Sequence, residues 1–187
     1  MLSHKVFEDY LSFFYIILRI VFKGLEYRLF MIPYFKQEKS WSCGAACFRM
    51  ILASFGIRKT EKQMIKLLRT NGRYGTRNKA FPLAAETLGF SYRVERNANI
   101  SELRKAYSDG YALVVNYYLF DEKMGHLGVI DSITSKQVIL LDPWHGKKNY
   151  SFSSFLKAWY TIDPSLADAE KGWFFGVKNK SYKDKKE

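Results

Sequence analysis

Little in this chain of 187 residues can cross-link it, carry it through a membrane or hold a metal. Its two cysteines, Cys43 and Cys47, stand four positions apart. On a helix that spacing puts both on one face, a poor arrangement for a structural disulfide. Neither a CxxC pair nor a histidine-rich stretch encodes a zinc site. Reduced thiols and a cytoplasmic setting follow as the expectation, with peripheral attachment at the inner face of the membrane as its extension. The longest apolar run, Leu11 to Phe22, has twelve residues broken by Arg19. A membrane-spanning helix needs about 20. Glu8 and Asp9 spoil the basic start of a signal peptide, and no small-residue cleavage site follows. There is no internal repeat and no low-complexity linker.

Acidic residues are also scarce. Eighteen Asp and Glu face 30 Lys and Arg, a formal charge of +12. Such a balance raises the question of nucleic acid, so its distribution matters. Arg58, Lys59, Lys62, Lys66, Arg69, Arg73, Arg77 and Lys79 stand against Glu61 alone, and the tail after Val177 adds five lysines against two acids. No helix-turn-helix, zinc finger or aromatic RNA-binding motif accompanies either cluster. A solvated basic face with a frayed tail is the plain interpretation. Attraction to an acidic peptide or an anionic membrane surface is the functional one, ahead of nucleic acid.

Apolar and aromatic residues are plentiful, at 48% and 17%, enough for a full core in one domain plus an extension. Residues 1–30 form that extension, 31–177 the domain and 178–187 a basic, flexible tail. In the extension Lys5, Glu8, Ser12, Arg19, Lys23 and Glu26 fall on a narrow helical stripe. The remaining apolar face is too wide for one ordinary packing contact. It suits a membrane interface, a partner or the chain's own domain equally.

Within the domain the period changes halfway. Helices are predicted from Cys43 to near Gly56, after the Thr60–Gln63 capping box, from a Thr76 cap to Gly89, and over Ser101–Tyr107 with Ser101 or Asn99 near its cap. Strands are predicted at Phe90–Val94, Tyr111–Tyr118, Gly125–Ile133 and Gln137–Asp142, the last two joined by a tight turn at residues 134–136. A final helix starts at Ser151 or Ser153, and Trp173–Val177 is a closing strand.

The chemistry centres on Gln37 to Met50, QEKSWSCGAACFRM. Cys43 opens a helix, where unpaired backbone N–H groups and the macrodipole favour thiolate over thiol. Gly44, Ala45 and Ala46 leave room for a carbonyl at the sulfur. Gln37 supplies an amide for the oxyanion that thiolate attack would create. A thiolate nucleophile needs a base, and the chain has three histidines. His4 sits in the extension without an evident partner, and His145 in a Pro-Trp-His-Gly turn resembles an ordinary surface histidine. His126 follows Gly125 at the mouth of an apolar strand, rigidly aimed and accessible, as a general base requires. Asp142 ends the next strand of the hairpin beside Pro143 and Trp144, and suits a hydrogen bond to imidazole Nδ1; an ordinary turn-starting Asp-Pro has the same pattern. Asp131 points to the other face by its odd offset, and Asn116 is the weaker alternative.

These segments together, IPYFKQEKSWSCGAACFRMI, YGT before AAETLGF, GHLGVI, LLDPWHG and FSSFLKAWY, resemble the bacteriocin-processing, double-glycine leader peptidases of the papain-like superfamily. The resemblance spans about residues 31–177. It implies a papain-like α+β fold, with a helical lobe facing an antiparallel sheet and the site in the cleft between them. It also implies Cys43 as nucleophile, His126 as base, Asp142 as its orienter and Gln37 as oxyanion donor. It requires no metal or organic cofactor, takes a peptide or protein substrate, and casts Cys47 as a small buried residue. Well-understood members of that family are domains of ABC exporters that cut after two glycines. Here neither a transmembrane bundle nor an ATPase follows, so a stand-alone peptidase is expected, with hydrolysis of a leader peptide as its reaction. Transfer of the acyl group to an amine, or a catalytically silent membrane- or peptide-binding module, are the other readings the same residues allow.

Overall fold

The computed structural model describes residues 31–164 and 170–178. The expectations for the extension at 1–30 and for the tail beyond Lys178 fall outside these residues. From Ile32 onward the chain forms one compact unit.

Its first half is helical. Helix α1 (Cys43–Ser54) ends at Phe55, and Gly56 follows at φ +79°, a left-handed position that suits glycine. The capping box at Thr60 is present: Thr60 Oγ1 accepts the Gln63 N–H and Gln63 Oε1 accepts the Thr60 N–H, opening α2 (Glu61–Leu67). Helix α3 (Ala80–Thr87) carries Pro82 in its first turn, where a missing N–H is harmless. Thr76 does not cap it. Its hydroxyl pairs with Thr70 Oγ1 at 2.7 Å, and α3 starts without a side-chain cap.

The second half is a sheet interleaved with two helices. Strand β1 (Ser91–Glu95) precedes α4 (Ile100–Ser108), which Asn99 caps by accepting the N–H groups of Ser101 and Glu102. Then come β2 (Ala112–Leu119), β3 (Met124–Ile133), β4 (Gln137–Asp142) and β5 (Gly146–Ser151). Ser151 caps α5 (Phe152–Tyr160), and β6 (Phe174–Lys178) closes the described chain. Strand β5 escapes the sequence pattern. Its Gly-Lys-Lys-Asn-Tyr-Ser carries few apolar residues because it is an edge strand, and lysines blunt such an edge.

All neighbours pair antiparallel in the order β1-β6-β2-β3-β4-β5, so the last strand lies between β1 and β2. Alternation along the strands divides two cores. On one face, Val114, Leu127, Val129, Leu141, Phe175 and Val177 meet Phe48, Met50, Ile51, Met64 and Phe81 of α1–α3. On the other, Leu113, Val115, Tyr117, Leu140 and Phe174 meet Leu103 and Ala106 of α4 and Phe155, Ala158 and Trp159 of α5. The fold is α+β, as the resemblance implied, but the helices cover both faces of the sheet. Around Phe81 the rings of Phe48, Trp173 and Phe175 lie 5.4–6.0 Å away, so α1 and α3 are seated on the sheet by aromatic packing. Among the described residues no helix is long and apolar enough to cross a membrane.

Candidate active site

Helix α1 delivers Cys43 at its first position, and the chain before it is tightly tied. Ser42 Oγ donates to Glu61 Oε1 at 2.5 Å, and the Glu38 N–H donates to the same oxygen at 2.8 Å. Glu61 is fully buried, the one acid in the basic run from 58 to 79. At the other end of this turn the Gln37 N–H donates to the Pro143 carbonyl at 2.9 Å, and Tyr34 Oη donates to the same carbonyl. The turn after Asp142 therefore holds the backbone of Gln37. The Gln37 side chain is buried; its Nε2 donates to the Lys39 carbonyl at 2.7 Å, and its Oε1 has no partner.

Close packing presses α1 onto β3. A methyl group at Gly44 would lie 2.5 Å from Thr76 Cβ and 2.9 Å from Leu127 Cδ1, so nothing larger than glycine fits beside the thiol. One turn on, the buried Cys47 Sγ donates to the Leu127 carbonyl at 3.3 Å. Burial pushes the Cys47 thiol well up, and the negative charge of Cys43 adds to this, so it stays a neutral packed residue, as expected.

His126 lies beside Leu127 on β3 and is 5% exposed. Its Nε2 faces Asp142 Oδ1 at 3.1 Å. The sequence pattern suggested Nδ1 for this contact; in the fold it is Nε2, which leaves Nδ1 as the nitrogen for Cys43. Tyr117, opposite His126 in the β2–β3 register, stacks edge-on against the imidazole with centroids 5.9 Å apart. Just before the histidine, Asp163 Oδ2 accepts the Gly125 N–H at 2.6 Å and pins the strand's start.

Asp142 is inaccessible to solvent. Oδ1 also accepts the N–H groups of Trp144 at 2.7 Å and His145 at 2.9 Å, closing the Asp-Pro turn on itself. Oδ2 accepts Tyr117 Oη at 2.5 Å and faces His145 Nδ1 at 3.1 Å. The two alternatives fall away. Asp131 pairs with Lys147 at 2.7 Å, and Asn116 sits opposite Leu127, one residue out of step with His126.

The electrostatics follow from this packing. Burial opposes ionisation of Cys43. Attraction to and hydrogen bonding with His126, and the backbone N–H groups of Leu127 and Gly44, outweigh it and bring the thiol below its ordinary value. Burial also pulls the imidazolium down, yet the charge of Cys43 and the hydrogen bonds to Asp142 and Cys43 push His126 up to about 10. Asp142 is desolvated too, but His126, Tyr117 and the His145 N–H hold its carboxyl well below the usual range. The shifts thus favour thiolate at Cys43, imidazolium at His126 and carboxylate at Asp142. Such a thiolate can attack a carbonyl and hand the departing group a proton from the adjacent ring.

Sequence reasoning brought Gln37, Cys43, His126 and Asp142 forward, and the fold gathers all four on α1, its preceding turn and the ends of β3 and β4. It does not reach Tyr117, Glu61 or Asp163. For Glu61 a signal existed: a lone acid in a long basic run. His145 reads in sequence as an ordinary surface histidine; its side chain is partly exposed and also reaches Asp142 Oδ2 at 3.1 Å.

A thiol at the head of a helix, set against a histidine and an aspartate on antiparallel strands in an α+β fold, defines the papain-like cysteine peptidases as a class. Residues 31–167 match the family model of Peptidase C39, and the chain belongs to that family of cysteine-type peptidases. Its fold is similar to the peptidase domain of Streptococcus ComA, described as a bi-functional ABC transporter involved in quorum sensing, at 20% identity and TM-score 0.63 over 78% of this chain and 97% of that one. A putative C39-like peptidase from Bacillus anthracis aligns at 15% identity and TM-score 0.62, covering 79% of this chain and 94% of that one. A double-glycine-motif protease from an AMS/PCAT transporter, solved with its leader peptide, aligns at 18% identity and TM-score 0.59 over 78% and 90%. Among curated proteins none matches the chain by sequence.

Proposed function

We propose that the chain cleaves a peptide bond through an acyl-enzyme on Cys43, and that its substrate is the leader segment of a secreted peptide. One observation carries the chemistry: the Cys43 thiol, lowered at the head of α1, faces an imidazole that Asp142 holds at 3.1 Å from the far side. In this reading Cys43 Sγ forms a bond to the substrate carbonyl carbon, and the carbonyl electron pair moves onto oxygen. Gln37 Nε2 and the Cys43 N–H donate to that oxyanion. Its collapse breaks the C–N bond, and the amine leaves with the proton from His126. Water then loses a proton to His126, adds to the thioester and expels the sulfur, restoring the starting ion pair. Asp142 stays ionised throughout and keeps the ring in place.

The leader-peptide part rests on narrower support. The similar double-glycine protease was solved with a leader peptide, and the family resemblance of the motifs points the same way. A basic surface suits an acidic segment: Arg73 and Arg77 flank the Tyr74 ring at 5.1 and 4.8 Å, in the loop whose Thr76 packs on Gly44. Attachment at the inner face of a membrane, where an exporter would receive the product, fits the transporter origin of the similar Streptococcus domain.

Incubation with peptides ending their leader in two glycines, with and without an added amine, tests both parts. Wild type should cut after the second glycine, releasing acid rather than amide, and Cys43→Ala and His126→Ala should not cut. Rapid alkylation of Cys43 without cleavage of any such peptide would leave the nucleophile and remove the substrate. Slow alkylation equal to that of Cys47 would remove both.

A further inference from the structure

The Asp142 carboxylate is held from behind by a second histidine that the peptidase chemistry does not use. His145 Nδ1 faces Asp142 Oδ2 at 3.1 Å, while its Nε2 faces Glu122 Oε1 at 2.5 Å. Both ring nitrogens thus meet carboxylate oxygens. Glu122 lies in the turn between β2 and β3, four residues before His126. His145 lies three residues after Asp142. The pair therefore ties the connection leading into one member of the site to the turn leaving the other.

We propose that His145, clasped by Glu122, is a positioning residue that sets the angle at which the Asp142 carboxylate presents Oδ1 to His126. Each Asp142 oxygen already has fixed donors: Oδ1 those of its own turn, Oδ2 Tyr117 Oη. His145 adds a further contact, on Oδ2, against rotation of the carboxylate about its own axis. The grouping is not a metal site, since among the described residues no cluster of His, Cys, Asp and Glu is placed to hold one. Asp142 is shut off from solvent while the His145 and Glu122 side chains are 26% and 39% exposed, so the clasp reaches the buried group from the surface. Charged and titratable groups around His145 include Asp142 from β4, Tyr117 of β2 on the same Oδ2, Glu122 from the β2–β3 turn and the His126 ring of β3, 6.2 Å away. This role for His145 rests on Cys43 and His126 acting as nucleophile and base.

The test is the pH profile of Cys43 alkylation by iodoacetamide, from about pH 4 to about pH 10, on the full chain. Variants are His145→Ala, His145→Asn and Glu122→Ala. Asparagine places its Nδ2 near the position of Nδ1, keeping the Asp142 contact and losing Glu122. In wild type the low-pH limb should lie below that of an ordinary thiol. His145→Ala should move it up by about one unit, a roughly tenfold slower reaction on the limb. His145→Asn should recover most of the loss, and Glu122→Ala should shift the limb the same way by less. If His145→Ala and Glu122→Ala lower thermal stability but leave the limb in place, the clasp is structural only and the proposal is overturned. If His145→Ala does not fold, the half-exposed Glu122→Ala decides alone: a moved limb supports the proposal and an unmoved one overturns it. A wild-type limb at the ordinary thiol position overturns both this proposal and the nucleophile–base reading. An unmoved limb in variants of a normal wild type overturns only this one.

Discussion

Tyr117, in the middle of β2, donates its hydroxyl to Asp142 Oδ2 across 2.5 Å, and neither side chain has access to water. The same ring meets His126 edge-on and packs its other side into the core against α5. A core residue thus also serves the site, and the hydrogen bond is the part that can be removed alone. Burial and the neighbouring carboxylate push the Tyr117 hydroxyl well up, so it remains a donor at every working pH.

Tyr117→Phe keeps the ring and deletes the donor. A hydrogen bond to a charged group contributes about 1.5–3 kcal/mol, and a buried carboxylate that loses one recovers nothing from solvent. The expected outcome is a stability loss of that size in urea, with a native-like circular dichroism spectrum. Alkylation of Cys43 should slow by roughly tenfold at acidic pH, because a less firmly ionised Asp142 supports the His126 imidazolium less well. Unchanged stability would mean that Oδ2 is served as well by His145 alone.

The pH dependence has a definite sign on each side. Cys43 is lowered, so its thiolate persists below the ordinary thiol range, and the alkylation limb should appear there. His126 is raised to about 10, so the proton it lends a leaving amine is lost as pH climbs towards 10, and turnover should fall on that side. For folding, the raised His126 stabilises fully below its unfolded value of about 6.5 and loses that contribution as pH rises through about 10. Asp142, lowered, contributes above about 3.9 and loses its contribution as pH falls through its own depressed value. Cys43→Ala removes the charge that raises His126 most. In that variant the imidazole followed by NMR should titrate well below 10, burial now opposing the Asp142 bond. An unchanged value would assign the shift to Asp142 alone.

How far the sequence carried this reading depended on range. The thiol, its histidine and its aspartate announced themselves through local patterns: a cysteine opening an apolar helix, a Gly-His at a strand's mouth, an Asp-Pro at a strand's end. The capping box at Thr60 placed one helix, and the cap at Asn99, one of two candidates the sequence offers there, another, because such caps depend on neighbouring residues alone. Strand β5 stayed hidden because an edge strand has little apolar pattern, and the place of β6 between β1 and β2 is set by pairing distant in sequence. The same limit hid the helpers of Asp142. Tyr117 reaches it across 25 positions, and the Glu122 that clasps His145 lies on another loop. Ring orientation was equally out of reach, since only the placed strands show that Nε2, not Nδ1, meets Asp142.

Glu61 offers a separate test of how the site is held from the helical side. Its Oε1 receives the Glu38 N–H and the Ser42 hydroxyl, its Oε2 has no partner, and the whole side chain is buried. These bonds brace the turn that runs from Gln37 to Cys43, spanning the proposed oxyanion donor and the nucleophile. Glu61→Ala removes the acceptor of the Glu38 N–H and leaves the Ser42 hydroxyl only the Lys39 carbonyl at 2.9 Å, for which a loss of about 1–3 kcal/mol is expected, read as a lower urea midpoint. Glu61→Gln keeps an acceptor in place and removes the charge from an incompletely paired carboxylate, so it should retain most of the stability. The functional effect should differ by reaction. Alkylation of Cys43 builds no oxyanion, so it should change little in Glu61→Ala, whereas peptide turnover should fall towards the level of Gln37→Ala, a loss of about 10²–10³ for one oxyanion donor. If turnover per folded molecule is intact in Glu61→Ala, the brace serves folding alone, and Gln37 is held by its bond to Pro143.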